Sequence, residues 1–261
     1  MSRHVNINGS LVHPLSLTPA LWIDFSDAAT VFNANVGGST PSNGTGIGRV
    51  EDKSGNARHF IQATSGNRPN YQTGVYNGLS IARFDGTNDR LTLGSSGLFQ
   101  NVAGGTIYAV RLWSSSPTAG RNILAISNNA SISTRASIYG GSASGKSGSG
   151  GRRLDADAFA GVNGTNSVST TLLQVDASVF DYSNDDLYLY MNGVQEASNT
   201  SFQTTGSTSN TASAAAAIGS MPAGTSQYFL GDIGEILVFH SAHSSTTRQR
   251  VRDYLRNKWA I

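Results

Sequence analysis

Short apolar runs rich in β-forming side chains recur along this 261-residue chain, and a single stretch near its end has helical spacing. That imbalance restricts the fold more than any other feature. From Leu21 onward the runs LWIDF, LSIARF, LTL, TIYAVRLW, NILAIS, ASIY, TLLQVD, DLYLYM, AAAAIG and GEILVF alternate with segments rich in Gly, Ser, Asn and Asp, the residues of turns. Strands and helices do not alternate, which leaves two packed antiparallel sheets as the expected architecture. A chain of this length can bury one core of that kind. The composition agrees, with 13% charged residues and 30 Gly.

The closing stretch GDIGEILVFHSAHSSTTRQRVRDYLRNKWAI joins the last strand to the helix. Val251, Tyr254, Leu255 and Trp259 form one apolar stripe and predict a helix over 245–259. Thr246 with Gln249 reads as a capping box, and Ser244 and Ser245 are the alternative caps. Such a stripe needs a finished sheet to cover it, so the helix is expected to lie over the sandwich as a lid. In the strand before it, strict alternation puts Glu235 on one face with Ile233, Leu237 and Phe239, and Ile236 and Val238 on the other. A carboxylate there calls for an Arg or backbone N–H partner, because burying it unpaired costs several kcal/mol by the general scale.

In TIYAVRLW, Tyr108, Val110 and Leu112 share one face and Ile107, Ala109, Arg111 and Trp113 the other, as expected of a central strand. Asn192-Gly193 can take the positive φ angles of a type I′ turn, so DLYLYMNGVQE reads as a hairpin. GGSASGKSGSGG, from Gly140 to Gly151, reads as an exposed mobile loop because its backbone entropy is costly to fix, and SFQTTGSTSNTAS reads the same way. Residues 1–18 are polar and aperiodic, with Pro14 and Pro19 as punctuation. They read as an N-terminal arm suited to docking, ahead of one domain spanning 19–261.

The formal charge of +2 is dispersed, so no nucleic-acid partner is expected. The exception is Arg248, Arg250, Arg252, Arg256 and Lys258, which read as the solvated face and C-terminal cations of the last helix. No Cys is present, which excludes disulfides and thiolate chemistry. No apolar stretch has the length of a signal peptide or membrane span, so no membrane partner is expected.

The motifs argue against catalysis. Glu51, Glu196 and Glu235 are the three Glu of the chain, and none begins the E-x-D-x-x-E pattern that sets two carboxylates on one strand face. Gly140–Ser147 formally fits the phosphate-loop pattern with Lys146 in the lysine position, but no helix follows it. LLQVD, ending at Asp176, could imitate a magnesium-binding strand only in an α/β context that is missing here. His240 and His243 stand alone as H-x-x-H, without the rest of a zinc site. Asp85–Asp89 and Asp181–Asp186 read as turn-forming Asp/Asn clusters rather than calcium loops. No residue is therefore assigned a catalytic or metal-binding role, no cofactor is expected, and the ligand-binding residues stay unassigned. Sugar contact needs aromatic faces with fixed planar hydrogen-bonding groups. Tyr71, Tyr76, Tyr182 and Tyr228 sit near predicted turns, whereas Trp22, Trp113 and Trp259 are expected in the core.

ALWIDFSDAATV (20–31), EDKSGNARHFIQAT (51–64), NRPNY (67–71), NGLSIARFDGTNDRL (77–91), LYLYMNGV (187–194) and GDIGEILVFHSAHSSTTRQRVRDYLRNKW (231–259) occur in an order that resembles laminin-G-like, concanavalin A-like jelly-roll domains of bacteriophage structural proteins and bacterial surface proteins. Val50 departs from the aromatic that often precedes the D-x-SGN segment in that family. The resemblance implies an all-β two-sheet jelly roll whose last strand returns beside the early ones, with a C-terminal α-helix packed outside. It further implies a non-enzymatic virion module (capsid decoration, fibre or tail appendage) that docks on other virion proteins through the arm, adheres to cell-surface carbohydrate and forms a homo-oligomer, a trimer by family habit. The alternative is a bacterial carbohydrate-binding lectin at the cell surface or outside the cell, and a glycan-cleaving enzyme stands third.

Overall fold

Side-chain alternation in the strand Gly105–Trp113 explains the layering. Ile107, Ala109 and Trp113 face one buried cluster, and Tyr108, Val110 and Leu112 face another, so this strand is covered on both sides. The computed structural model describes residues 12–118, 120–130, 133–141 and 145–261.

The first antiparallel sheet runs, in spatial order, Val194–Asn199, Asp186–Met191, Gln174–Asp181, Gly105–Trp113, Leu230–Phe239, Leu79–Asp85, Asn70–Tyr76 and Thr45–Gly46. Leu21–Asp24 pairs with the second half of Leu230–Phe239, beside the stretch that pairs with Leu79–Asp85. The last strand thus returns to the early ones, as expected. The second sheet runs Ala160–Ser167, Lys146–Gly151, Thr134–Gly140, Asn122–Ser127, Ala216–Ile218, Leu91–Leu93, Phe60–Ile61, Arg49–Val50 and Val31–Phe32. Between the sheets lies the main core, which includes Phe25, Phe60, Phe84, Leu124, Ile138 and Phe180. Val50 is fully buried in it, so an aliphatic residue fills the position of the family's aromatic.

The helix Ser245–Trp259 covers the outer face of the first sheet. Ser244 is its cap, its hydroxyl accepting from the N–H of Thr247, which settles the choice among the three candidate caps. Val251, Leu255 and Trp259 are buried against Trp22, Val175 and Leu237. An isolated helix of this length is marginal in water, and burial of about 1.5–3 kcal/mol per large apolar side chain supplies what propensity does not.

The structure corrects four expectations. A bulge at Gly234 interrupts the alternation of the last strand, so Ile233 joins Ile236 and Val238 in the main core, while Glu235, Leu237 and Phe239 face the helix side. Gly234 permits the bulge to sit under the helix: a Cβ there would lie 2.6 Å from the Trp259 ring. Residues 145–151 are not an exposed loop. Lys146–Gly151 is a buried strand paired on both sides. SFQTTGSTSNTAS is pinned rather than mobile, with Phe202, Thr208 and Ser213 buried and the Thr208 hydroxyl donating to the Phe99 carbonyl at 2.7 Å. Lastly, Tyr71 and Tyr182 are core residues at 2% and 0% exposure, which removes them as sugar contacts.

Of the arm, residues 1–11 lie outside the described residues. Val12 and Pro14 are buried, a short 3-10 turn covers Pro14–Leu17, and His13 meets the Trp22 ring edge-on at 5.2 Å.

Candidate functional site

Two places in the sandwich combine polar side chains in a way that could bear function, and their chemistry differs. The first is an acidic pair. Asp24 and Glu235 are cross-strand neighbours, at 3% and 0% exposure. Burial, helped by Asp24, pushes the Glu235 carboxyl above its ordinary range, whereas Lys258 and Lys53 outweigh burial at Asp24 and hold it below. A raised and a lowered carboxyl side by side is the electrostatic pattern of an acid and a base.

Their partners exclude that role. The Glu235 carboxylate accepts from the Trp22 indole at 2.7 Å, the Tyr254 hydroxyl at 2.9 Å, Lys258 Nζ at 2.7 Å and the Trp259 indole at 2.9 Å. Lys258 also reaches Asp24 at 2.7 Å, and Lys53 reaches Asp24 at 2.9 Å. Every oxygen of Glu235 is occupied and covered by the helix, so no substrate atom can approach it. The partners are indoles, a phenol and a Lys rather than the expected Arg or backbone N–H. This cluster fastens the lid. Asp232 is likewise structural, held by a two-pronged Arg83 contact at 2.7 and 2.8 Å and by the Tyr76 hydroxyl at 3.0 Å.

The second place is the outer face of the second sheet, at the end formed by Ala160–Ser167, Lys146–Gly151, Thr134–Gly140 and Asn122–Ser127. Lys146–Gly151 alternates small residues with period two. Ser147 and Ser149 point inward and are buried, while Gly148 and Gly150 line the outer face opposite Tyr139 and Ser137. The glycines are required by what lies on them. A Cβ on Gly148 would sit 2.5 Å from the Tyr139 ring, one on Gly161 2.7 Å from the Tyr139 hydroxyl, and one on Gly150 2.6 Å from the Phe159 ring. The two rings therefore rest directly on the sheet backbone, with centroids 6.2 Å apart and planes inclined by 52°.

Polar groups surround the rings. The Asn122 amide donates to the Gly120 carbonyl at 2.8 Å and to Gln227 Oε1 at 2.9 Å, which fixes two planar amides side by side. The Arg152 guanidinium stands 5.7 Å from the Phe159 ring centroid and is held by the carbonyls of Asp157 and Thr134, both at 2.9 Å. Burial pushes the Tyr139 phenol up to about 12, so it stays a neutral hydroxyl at physiological pH. Together these groups line a cleft of ≈ 500 Å³. Phe159 is 43% exposed, so part of its ring is open to the cleft.

Comparison with known proteins gives the family. A family model described as the concanavalin A-like lectin/glucanase superfamily, of the laminin G type, matches residues 85–247. The chain belongs to this superfamily. Among solved structures, this lectin/glucanase-type sandwich is similar to the binding domain of Paraclostridial Mosquitocidal Protein 1, at TM-score 0.60 and 11% identity over 93% of this chain and 53% of that one. It is similar to the Botulinum neurotoxin serotype D binding domain, at TM-score 0.59 and 10% identity over 90% and 50%. A Ruminococcus gnavus IT-sialidase CBM40 bound to α2,3-sialyllactose aligns at TM-score 0.47 and 21% identity over 56% and 80%. The chain spans about half the length of the two toxin domains, and identities this low show the fold alone. No curated protein matches the sequence.

Within this sandwich the remaining sequence motifs have structural uses. The phosphate-loop look-alike ends in the strand Lys146–Gly151, where Lys146 donates to the Thr165 carbonyl at 2.7 Å and Ser147 donates to Asp176 at 2.9 Å. Asp176 forms a fully buried ion pair with Arg111, 2.7 Å at its shortest, so it is no magnesium ligand. His240 accepts from the Phe99 N–H and His243 meets the Tyr108 hydroxyl, and the two are committed to separate contacts. Asp85 accepts from the N–H groups of Thr87, Asn88 and Asp89, and Asp181 from Asn184, as turn-forming carboxylates do. Among the described residues, no three His, Cys, Asp or Glu come together as a metal site, and no helix is long and apolar enough to cross a membrane. Of the four candidate tyrosines, Tyr76 binds Asp232 and Tyr228 donates to the Gly224 carbonyl at 3.1 Å. Phe159 carries exposed ring surface instead, with the partly buried Tyr139 beside it.

Proposed function

We propose that this domain is a non-catalytic carbohydrate-binding module and that it grips sugar on the face formed by Tyr139, Phe159, Asn122, Gln227 and Arg152. One observation carries the reading: two aromatic rings sit against a glycine floor and line a cleft fringed by fixed planar hydrogen-bonding groups. Apolar faces of pyranose rings stack on such aromatics, and amides and guanidinium groups match their hydroxyls. The fold neighbours named above are described as binding domains, so the sandwich is a known carrier of binding.

Use on a bacteriophage particle fits the same chemistry, because many displayed copies would make weak sugar contacts effective. Its support is the sequence resemblance alone, as is the support for a trimer. Electron-microscopic localisation of the protein on a particle and its mass in solution test those two points. Secretion as a bacterial lectin is the other setting for the same surface.

The binding reading is tested with the full chain on a glycan panel followed by titration calorimetry. Phe159→Ala is expected to abolish or strongly weaken the response with little change in melting temperature, since the ring is 43% exposed. Unchanged binding in Phe159→Ala and Tyr139→Ala would move the site elsewhere. Release of shorter oligosaccharides on prolonged incubation would overturn the non-catalytic assignment.

A further inference from the structure

We propose that the glycan taken by this face is acidic, with its carboxylate seated on the Arg152 guanidinium; this rests on the carbohydrate-binding reading above and specifies its ligand. Arg152 is the one charged side chain among the described residues lining the cleft. Three arginines of the two sheets are matched to carboxylates, Arg83 to Asp232, Arg111 to Asp176 and Arg135 to Asp155, while others such as Arg121 and Arg153 have no ion pair among the described residues but do not line this cleft. Arg152 forms no ion pair among the described residues. Of the two acids that follow it closely, Asp155 is taken by Arg135, and Asp157 turns its carboxylate to the Leu154 N–H at 2.7 Å and gives Arg152 only its backbone carbonyl.

Two carbonyl contacts use one Nε–H and one Nη1–H, which fixes the plane of the guanidinium while its other N–H groups keep no protein acceptor among the described residues. A planar fork held in place by neutral acceptors suits a carboxylate, which takes two parallel N–H bonds. The half-buried charge is only partly compensated: burial lowers the affinity of this guanidinium for its proton, and the Asp157 charge opposes that without cancelling it. An incoming anion removes that penalty, whereas a neutral sugar does not. The position is also right: the guanidinium lies over the Phe159 ring, 5.7 Å from its centroid, so a sugar that touches the exposed part of that ring meets Arg152. Sulfated sugars carry their negative charge on a larger, tetrahedral group at a different distance from the ring, so they serve as the comparison.

The experiment uses the full chain and calorimetry at low salt on matched oligosaccharides: a uronic acid oligomer and its carboxyl-reduced form, a sialylated oligosaccharide and its desialylated form, and a sulfated derivative of the neutral backbone. The carboxylated members are expected to bind about 10- to 100-fold more tightly than their neutral counterparts, the range of a charge-assisted hydrogen-bond pair. The difference is expected to shrink with added NaCl, to vanish in Arg152→Gln and to survive in part in Arg152→Lys. If Arg152→Gln melts early, the salt titration of the wild type and Arg152→Lys decide instead. Equal affinity for acidic and neutral members, lost in Phe159→Ala, overturns the acidic preference and leaves the carbohydrate reading standing. A preference for the sulfated member, or an acidic preference that persists in Arg152→Gln, overturns the seating of a carboxylate on Arg152. Failure of every member to bind overturns both.

Discussion

The indole N–H of Trp259, on the last turn of the helix, donates to Glu235 at 2.9 Å, and the next residue back, Lys258, reaches the same carboxylate oxygen at 2.7 Å. Glu235 lies on the strand that immediately precedes the helix, so the chain folds back and ties its end to a point 24 residues earlier. The carboxylate is fully buried and satisfies two indoles, a phenol and an ammonium at once.

Glu235→Ala is therefore expected to be severe. Removing one side of a buried ion pair costs about 3–5 kcal/mol, and here neutral donors are orphaned as well. Glu235→Gln keeps an acceptor for part of the cluster and should cost less. Chemical denaturation of both variants checks the order, and helix release should show as increased hydrogen exchange over 245–259 with the sheets still protected.

Glycines in the strand Lys146–Gly151 should separate stability from binding. A Cβ on Gly151 would collide with the Arg135 backbone carbonyl, so Gly151→Ala is expected to destabilise by about 1–3 kcal/mol. Gly148→Ala instead pushes against the Tyr139 ring, a side chain that lines the cleft. It should weaken glycan binding more than it lowers the melting temperature. Equal stability loss in both, with binding unaffected in Gly148→Ala, would contradict a binding role for the Tyr139 ring held against Gly148.

His243 gives a pH signature. Burial, with Arg248 contributing, pushes its imidazole down to about 4, from an ordinary value near 6.5. The unfolded chain thus binds a proton at His243 in a range where the folded one does not, so stability present above pH 6.5 is lost as the pH falls toward 4. The upper bound is about 3 kcal/mol from the size of that shift. Comparing wild type with His243→Gln between pH 4 and 7 measures it, and parallel curves would refute the assignment.

Asp89 works in the opposite sense. Burial, reinforced by the Asp85 carboxylate, raises it to about 7. The folded state holds this proton more tightly than the unfolded chain does, so the contribution is full below about pH 4 and is lost as the pH rises through 7. Asp89→Asn keeps an acceptor for the Asp85 N–H and cannot ionise. Its melting temperature should gain on the wild type as the pH rises from 4 to 8, and a constant difference would count against the raised pKa.

Large parts of the fold were legible from local patterns. The central strand, the Asn192-Gly193 hairpin with φ of 53° and 86°, and the helical stripe all follow from periodicity and turn chemistry. Lys146–Gly151 and Ala160–Ser167 were not legible, because their side chains are small or polar and carry no hydrophobic alternation, and in Asn70–Tyr76 Gly74 and a register shift break the alternation of Tyr71, Val75 and Tyr76. The Ser/Gly alternation of KSGSGG was the available signal. Such an alternation equally suits a flexible loop and a buried strand, in which glycine serves close approach by a neighbour. The candidate site was missed for the same reason: Phe159 sits just outside any strand-like run, and the floor beneath it contains no residue that looks functional.

By itself the sequence determined the class of fold, the single closing helix and the lack of a local catalytic motif, since each depends on neighbours a few residues apart. Tertiary structure alone decided that Glu235 is a fastener rather than an acid, because its partners come from position 22 and from the helix, and only folding brings them within 3 Å. It also decided which aromatics are buried and which lie open on glycine. That choice depends on backbone-to-ring distances between strands, which composition and periodicity do not encode.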